Sequence, residues 1–184
     1  MRPLTYAGVE RAYANAVRLV KAAIGSAVFL LLAPGVVAGL VPWLLTGWRS
    51  SNLPAAFRVL GAVLIALGIG VLLHAFMRFV VEGIGTPAPA APTERLVVGG
   101  LYRHVRNPMY LAVGATIVGQ ALLFGRPLLL AYAAVFSATV ATFVYSYEEP
   151  SLRARYGEEY AAYRRAVPGW WPRLKAWSPE PPRH

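Results

Sequence analysis

At 184 residues, with 57% hydrophobic and only 14% charged side chains, the chain is far more apolar than a soluble domain of its size. It contains no cysteine, which excludes disulfides, thiolate metal sites and a cysteine nucleophile. The formal charge of +10 lies in short segments between apolar runs, so it implies anionic lipid headgroups rather than nucleic acid as the partner.

These features predict one integral membrane domain over residues 1–184. Met1 to Glu10 lack the short apolar core and cleavage site of a signal peptide and read as a mature N-terminus. Tyr6 to Val20, carrying Arg11, Tyr13 and Arg18, is expected along the membrane interface. The first uncharged run, 22–48, is long enough to cross about 30 Å of hydrocarbon as a helix, and Pro34 and Pro42 should bend it. A second run spans 59–77, where Gly61, Gly68 and Gly70 suggest close helix contact. With no strand before them, they do not suggest a nucleotide loop. His74, near one end of this run, reads as a packing histidine, buried or at headgroup level.

The Gly- and Pro-rich stretch from Glu82 to Pro92 cannot be a helix interior. It is either a plain linker or a loop that closes over a ligand. Glu94-Arg95-Leu96-Val97-Val98 then leads into GLYRHVRNPMYLAVG, residues 100–114, where cationic side chains stand at the mouth of an apolar run. Asn107 is a good cap acceptor, and Pro108 suits the first helical position. Two further runs, 107–125 and 127–147, are broken only by Arg126 and predict a tight helical hairpin. Beyond them, Leu152, Tyr156, Tyr160, Tyr163 and Val167 recur at helical spacing, predicting one amphipathic helix over 150–167 that lies on the membrane surface or the bundle mouth. Trp170 and Trp171 suit the headgroup layer, and Ser178 to His184 reads as a loose tail.

The expected fold is therefore an all-α polytopic bundle with four crossings and a C-terminal amphipathic helix. Residues 1–21, 78–106 and 148–184 hold four, four and seven Lys or Arg, against Arg49, Arg58 and Arg126 in the other connections. The positive-inside rule then places both termini and the Gly100 segment in the cytoplasm.

Hairpin geometry returns Glu148 and Glu149 to the level of Tyr102, Arg106, Asn107 and Tyr110, because antiparallel helices of about 20 residues rise roughly 30 Å each. Acceptors, donors and aromatic surfaces would then meet at a membrane edge open to both water and lipid. The same residues also suit a salt-bridged collar that does no chemistry. His74, His104 and His184 lack metal-ligand spacing, so no metal site is predicted.

The segment 100–114, together with YEEPSLRARYGEEYAAYRRAVPGWWPR at 147–173, resembles the C-terminal signature of the isoprenylcysteine carboxyl methyltransferase and phospholipid methyltransferase superfamily. The likeness covers about residues 83–173. It implies S-adenosylmethionine as methyl donor, S-adenosylhomocysteine as product, and a lipophilic or membrane-lipid acceptor. It further implies that Arg95, Leu96 and Val97, with Glu94 less clearly, line the nucleoside site. Tyr102, Arg106 and the Asn107-Pro108-Met109-Tyr110 turn would complete that site, and Glu148 would hold the methionyl amino group. Glu149, Tyr110 and Asn107 are the candidates for assisting proton transfer. The sequence departs from the prenylcysteine enzymes at Asn107, where they typically have His, and at Val144, where the eukaryotic ones have a substrate-recognising Arg. The first departure weakens an acid–base role there, and the second weakens a prenylcysteine carboxylate as substrate. Two other classes remain open: a membrane reductase using NADPH, as in the sterol reductases, and a non-catalytic membrane scaffold.

Overall fold

The uncharged runs become helices, and proline sets where those helices bend. The computed structural model describes residues 27–78 and 96–178, together with Tyr13, Val17, Val20, Ile24, Gly25 and Val81. Most of the predicted interfacial segment at 6–20, the whole Glu82–Pro92 connection, Glu94, Arg95 and the tail after Ser178 lie outside the described residues.

Helix α1 spans Ala27–Thr46 and is wound as a π-helix over Val36–Leu40, just before Pro42. Pro42 has no N–H, so carbonyls four and five residues before it lose their helical donor. Two neighbouring helices supply replacements: Gln120 Nε2 donates to the Ala38 carbonyl at 2.6 Å, and Tyr132 Oη donates to the Val37 carbonyl at 2.8 Å. In hydrocarbon no water could make these bonds, so two polar side chains on apolar helices serve to satisfy backbone.

Helix α2, Ala55–Arg78, packs along α3, Pro108–Phe124, at backbone distance. A Cβ on Gly61 would stand 2.6 Å from the Gly119 carbonyl oxygen, and one on Gly68 would strike Thr116 and the Ala112 carbonyl. These two glycines are the contact surface expected from the sequence. Gly70 is not part of it, because a Cβ there would meet nothing within 4 Å. Gly125, at φ +64°, ends α3, and the chain turns through Arg126 into α4, Leu128–Phe143. Val113, Ile117 and Ala121 of α3 and Leu129 and Ala133 of α4 form the bundle core, onto which Val37, Ala38 and Leu72 also pack.

By length and composition, α1, α2 and the helix beginning at Leu128 can each cross a membrane, and α3 is a shorter apolar helix. Their outward residues, including Leu31, Leu67, Leu73, Leu130 and Val135, are apolar and exposed, a surface suited to lipid. The protein is an all-helical integral membrane protein.

Past α4 the chain passes through a π turn, Val144–Glu148, into α5, Glu149–Ala166. The expected single helix is interrupted at Gly157, whose φ of 52° and ψ of −125° are non-helical. A glycine there removes the Cβ conflict that other residues would suffer at positive φ. The aromatic stripe nevertheless stays on the inner side. Tyr160, Tyr163 and Val167 are buried and pack with Leu152, Tyr156, Leu96, Val98 and Trp177. A strap over 168–177 then runs back along 103–107. Arg106 N donates to the Pro168 carbonyl, Asn107 N to that of Gly169, Arg173 N to that of His104, and Trp177 N to that of Arg103.

Candidate functional site

The site begins where the chain enters α3. Gly100, at φ +56°, opens a 3-10 turn over Gly100–Arg103, and a Cβ there would lie 2.5 Å from His74 Nε2 and 2.8 Å from Arg78 Nε. The C-terminal end of α2 is thus seated on this turn, with the exposed His74 beside Gly100. Pro108 occupies the first turn of α3 as expected, but Asn107 makes no side-chain cap bond. Its backbone N–H is drawn to Gly169, and its side-chain Nδ2 is buried with no hydrogen-bond partner. The strap therefore diverts Asn107 from the capping role that its position suggests.

The two carboxylates that follow α4 have different surroundings. Tyr110 Oη donates to Glu148 Oε2 at 2.8 Å, and no guanidinium pairs with Glu148 among the described residues. One residue beyond the fourth apolar run, Glu148 is held above the usual carboxylate range by burial and by the neighbouring Glu149 charge, which the Tyr110 hydrogen bond offsets in part. Glu149 is buried between two cations. Its Oε1 receives Arg106 Nη1 at 2.6 Å, and its Oε2 receives Arg164 Nε at 3.0 Å. Adjacent helical positions differ by about 100°, so the two carboxylates do not face one pocket equally.

Arg106 is committed to the protein. Besides Glu149, its Nη1 reaches Tyr160 Oη at 3.0 Å, and its Nε donates to the Val167 carbonyl at 2.9 Å. Tyr163 Oη donates to the Tyr102 carbonyl at 2.7 Å, so both halves of the 100–107 segment are tied to α5. Burial raises the Tyr102 hydroxyl well above the usual tyrosine range, as does the proximity of Tyr163, Glu148 and Tyr110, and keeps it neutral. This network realises the salt-bridged collar for Arg106 and Glu149 only. Glu148 stands apart from it.

Between these groups lies a cavity of about 770 Å³. Leu96, Val97, Tyr102, Arg106, Asn107, Pro108, Met109, Tyr110 and Glu148, all singled out from the sequence, line it, as does Glu149. Arg95 falls outside the described residues. Phe29, Ala33 and Pro34 of α1, Leu72 of α2, and Phe136 and Phe143 of α4 complete the apolar walls, and Leu152, Arg155, Tyr156 and Tyr160 of α5 close the mouth. The sequence reading missed the α1 contribution. The proline pair that bends α1 was its one available signal, but bending does not say toward what. Val144 also lines the cavity and is almost fully buried, so the position carries no charge.

A cavity of this size suits a cofactor or drug-sized ligand. Its chemistry is specific: apolar walls and, among the described residues, one carboxylate without a cationic partner and the side chain of Asn107 with an unused buried donor. An anionic wall group of this kind complements a ligand cation, and Asn107 offers a hydrogen bond to a ligand acceptor. Among the described residues no group of His, Asp and Glu is arranged to hold a metal ion.

No curated protein and no solved structure matches the chain. A model of the phospholipid methyltransferase family matches residues 56–159, more than half of the sequence. That span carries the α2–α3 glycine contact, the Tyr110–Glu148 pair and most of α5. That match shows that the chain belongs to the phospholipid methyltransferase family of membrane methyltransferases.

Proposed function

We propose that the protein transfers a methyl group from S-adenosylmethionine to a lipophilic acceptor that enters the cavity from the bilayer. The observation that carries this reading is Glu148: a half-buried carboxylate, oriented by Tyr110 and without a cationic partner among the described residues, on the wall of a largely apolar cavity. Bound there, S-adenosylmethionine would supply an electrophilic methyl carbon on a sulfonium, leaving S-adenosylhomocysteine after displacement.

In this reading Glu148 pairs with the ammonium of the methionyl portion, and Tyr110 fixes the carboxylate rotamer. Leu96, Val97, Tyr102, Pro108 and Met109 offer the apolar surface for the nucleoside portion, and Asn107 its unpaired donor. Arg106 acts indirectly, by holding α5 over the mouth. The apolar walls exclude water, so rate enhancement rests on proximity and orientation. Both oxygens of Glu149 are engaged by guanidiniums, and an acceptor that arrives as a free amine needs no base. A carboxylate acceptor is disfavoured, since Val144 provides no cation where one would be recognised. The Lys/Arg distribution supports a cytoplasmic position for both termini and the cavity mouth.

The test is a calorimetric titration of purified protein in detergent with S-adenosylhomocysteine and with NADPH. Binding of the first alone is expected. Binding of NADPH alone would replace methyl transfer with reduction, and binding of neither would favour a scaffold. A labelled-methyl assay on extracted lipids then identifies the acceptor.

A further inference from the structure

At the end of the bundle opposite Glu148, a second cleft of about 570 Å³ opens between the C-terminus of α1 and the turn joining α3 to α4. Leu44, Leu45, Arg49, Arg126 and Leu128 line it. Its two loops are fixed against each other. Arg126 Nε donates to the Arg49 carbonyl at 2.7 Å, Ser51 Oγ to the Gly125 carbonyl at 2.8 Å, and Trp48 Nε1 to Gln120 Oε1 at 3.0 Å. The Arg49 side chain folds back along Gly47, where a Cβ would stand 3.9 Å from its Nε.

The charge at this end is one-sided. The described carboxylates, Glu148, Glu149, Glu158 and Glu159, belong to the π turn and α5, and the ion pairs among described residues join Glu149 to Arg106 and Arg164. Arg49 and Arg126 thus converge on one cleft with no described carboxylate to balance them. Two cations lining one cleft at a membrane edge favour an anion there. Guanidiniums match phosphate oxygens in both charge and fork geometry. Below the arginines the lining is aliphatic and exposed, at 66% for Leu44 and 53% for Leu128.

We propose that this cleft binds the phosphate of an anionic phospholipid in the leaflet opposite the catalytic cavity, with Arg49 and Arg126 on the headgroup and an acyl chain along Leu44, Leu45 and Leu128. The aliphatic wall continues from the cationic rim onto the lipid-facing helix surface. That continuity distinguishes a lipid phosphate from free phosphate, which would use only the rim. The inference does not depend on the reaction assigned to the other end.

Native mass spectrometry of delipidated protein in detergent tests it, with phosphatidylglycerol, phosphatidylcholine and inorganic phosphate as separate probes. Wild-type protein should retain phosphatidylglycerol in preference to phosphatidylcholine. Arg49→Gln should weaken phosphatidylglycerol binding about fivefold and Arg49→Gln/Arg126→Gln further, whereas Arg49→Lys/Arg126→Lys should retain most of it. If Arg126→Gln disturbs the turn, the Arg49→Gln single variant carries the test, because Arg49 holds Arg126 through its backbone carbonyl. Unchanged phosphatidylglycerol binding in the Gln variants would overturn the proposal, as would equal retention of phosphatidylcholine. Displacement of the lipid by equimolar inorganic phosphate would mark a free-anion site and overturn the lipid assignment.

Discussion

Glu148 and Glu149 are consecutive residues with opposite electrostatic surroundings: the first accepts a hydrogen bond from Tyr110 on a cavity wall, and the second is clamped between Arg106 and Arg164. The π turn that ends at Glu148 sets this division, leaving the first carboxylate to Tyr110 and drawing the second, which also lines the cavity, into the α5 clasp. The proposed ligand contact and the ion-paired clamp are thereby separated by one peptide bond.

That separation predicts different failures. Glu148→Gln should leave the fold intact and weaken S-adenosylhomocysteine binding by about 2–5 kcal/mol, or roughly 30-fold to several thousand-fold, as expected when a desolvated charge pair loses a member. Glu149→Gln should leave Arg106 buried without its counter-ion and lower the thermal midpoint in detergent, with a cost up to about 3–5 kcal/mol before allowing for the exposure of Arg164. Calorimetry and thermal unfolding on both variants separate the two effects. A binding loss confined to a still-folded Glu149→Gln protein would reverse the roles.

The elevated Glu148 carboxyl gives a pH signature with a definite sign. Raised above its ordinary value of 4.5 by burial, it holds a proton at pH values where the unfolded chain has lost it. Its contribution to the ligand-free fold is therefore largest below the unfolded value and is lost as pH rises through the folded one. A cationic ligand favours the carboxylate and lowers that value again. Binding should then release protons and tighten as pH rises toward the ligand-free value, becoming level above it. Titrations in buffers of different ionisation enthalpy measure the release, and Glu148→Gln should abolish it. A slope that persists in that variant would assign the proton elsewhere.

The helices and the rim of the cavity are legible in the sequence because hydrocarbon imposes simple rules: uncharged runs of sufficient length, proline at bends, cations at edges. Gly61 and Gly68 could be assigned to close packing on the same grounds, whereas Gly70, two residues on, faces open space. What could not be read is which partner each polar side chain takes. Arg106 is expected beside a cofactor and lines the cavity, and its guanidinium also holds Glu149, Tyr160 and the Val167 carbonyl. Those partners lie 43 to 61 residues away in sequence, and only the packing of α5 brings them near. Gln120 and Tyr132 are legible only in retrospect, since their task is to satisfy carbonyls that Pro42 leaves without donors on another helix.

Gly157 supplies a test of how tightly α5 must fit. Its positive φ lies where a Cβ is strained, yet a Cβ there would meet no atom within 4 Å. Gly157→Ala should therefore cost backbone strain alone, about 1–2 kcal/mol. A chain that relieves the strain by straightening would move Tyr160 and Tyr163 off Arg106 and Tyr102. We expect weaker S-adenosylhomocysteine binding with membrane insertion unchanged. Deletion after Pro150 should abolish binding altogether. If the truncated protein binds normally, α5 is an anchor and not a cover.

Topology gives the remaining prediction, and the charge distribution sets its direction. Of the 18 Lys and Arg residues, 15 fall in segments 1–21, 78–106 and 148–184, which an even number of crossings would place on one side. Helices α1 to α4 alternate, the turn at Arg126 closes one end, and the strap at 168–177 meets the entry to α3 at the other. Because the natural chain has no cysteine, a single introduced thiol reports one position without background. Asn52→Cys, in the exposed connection between α1 and α2, and Lys175→Cys, exposed on the strap, should react with a membrane-impermeant maleimide from opposite faces. In intact cells Asn52→Cys should label and Lys175→Cys should label only after permeabilisation. The reverse pattern would invert the protein and place the cavity mouth away from the cytosol. Labelling of both from one side would remove a crossing and with it the four-helix membrane topology.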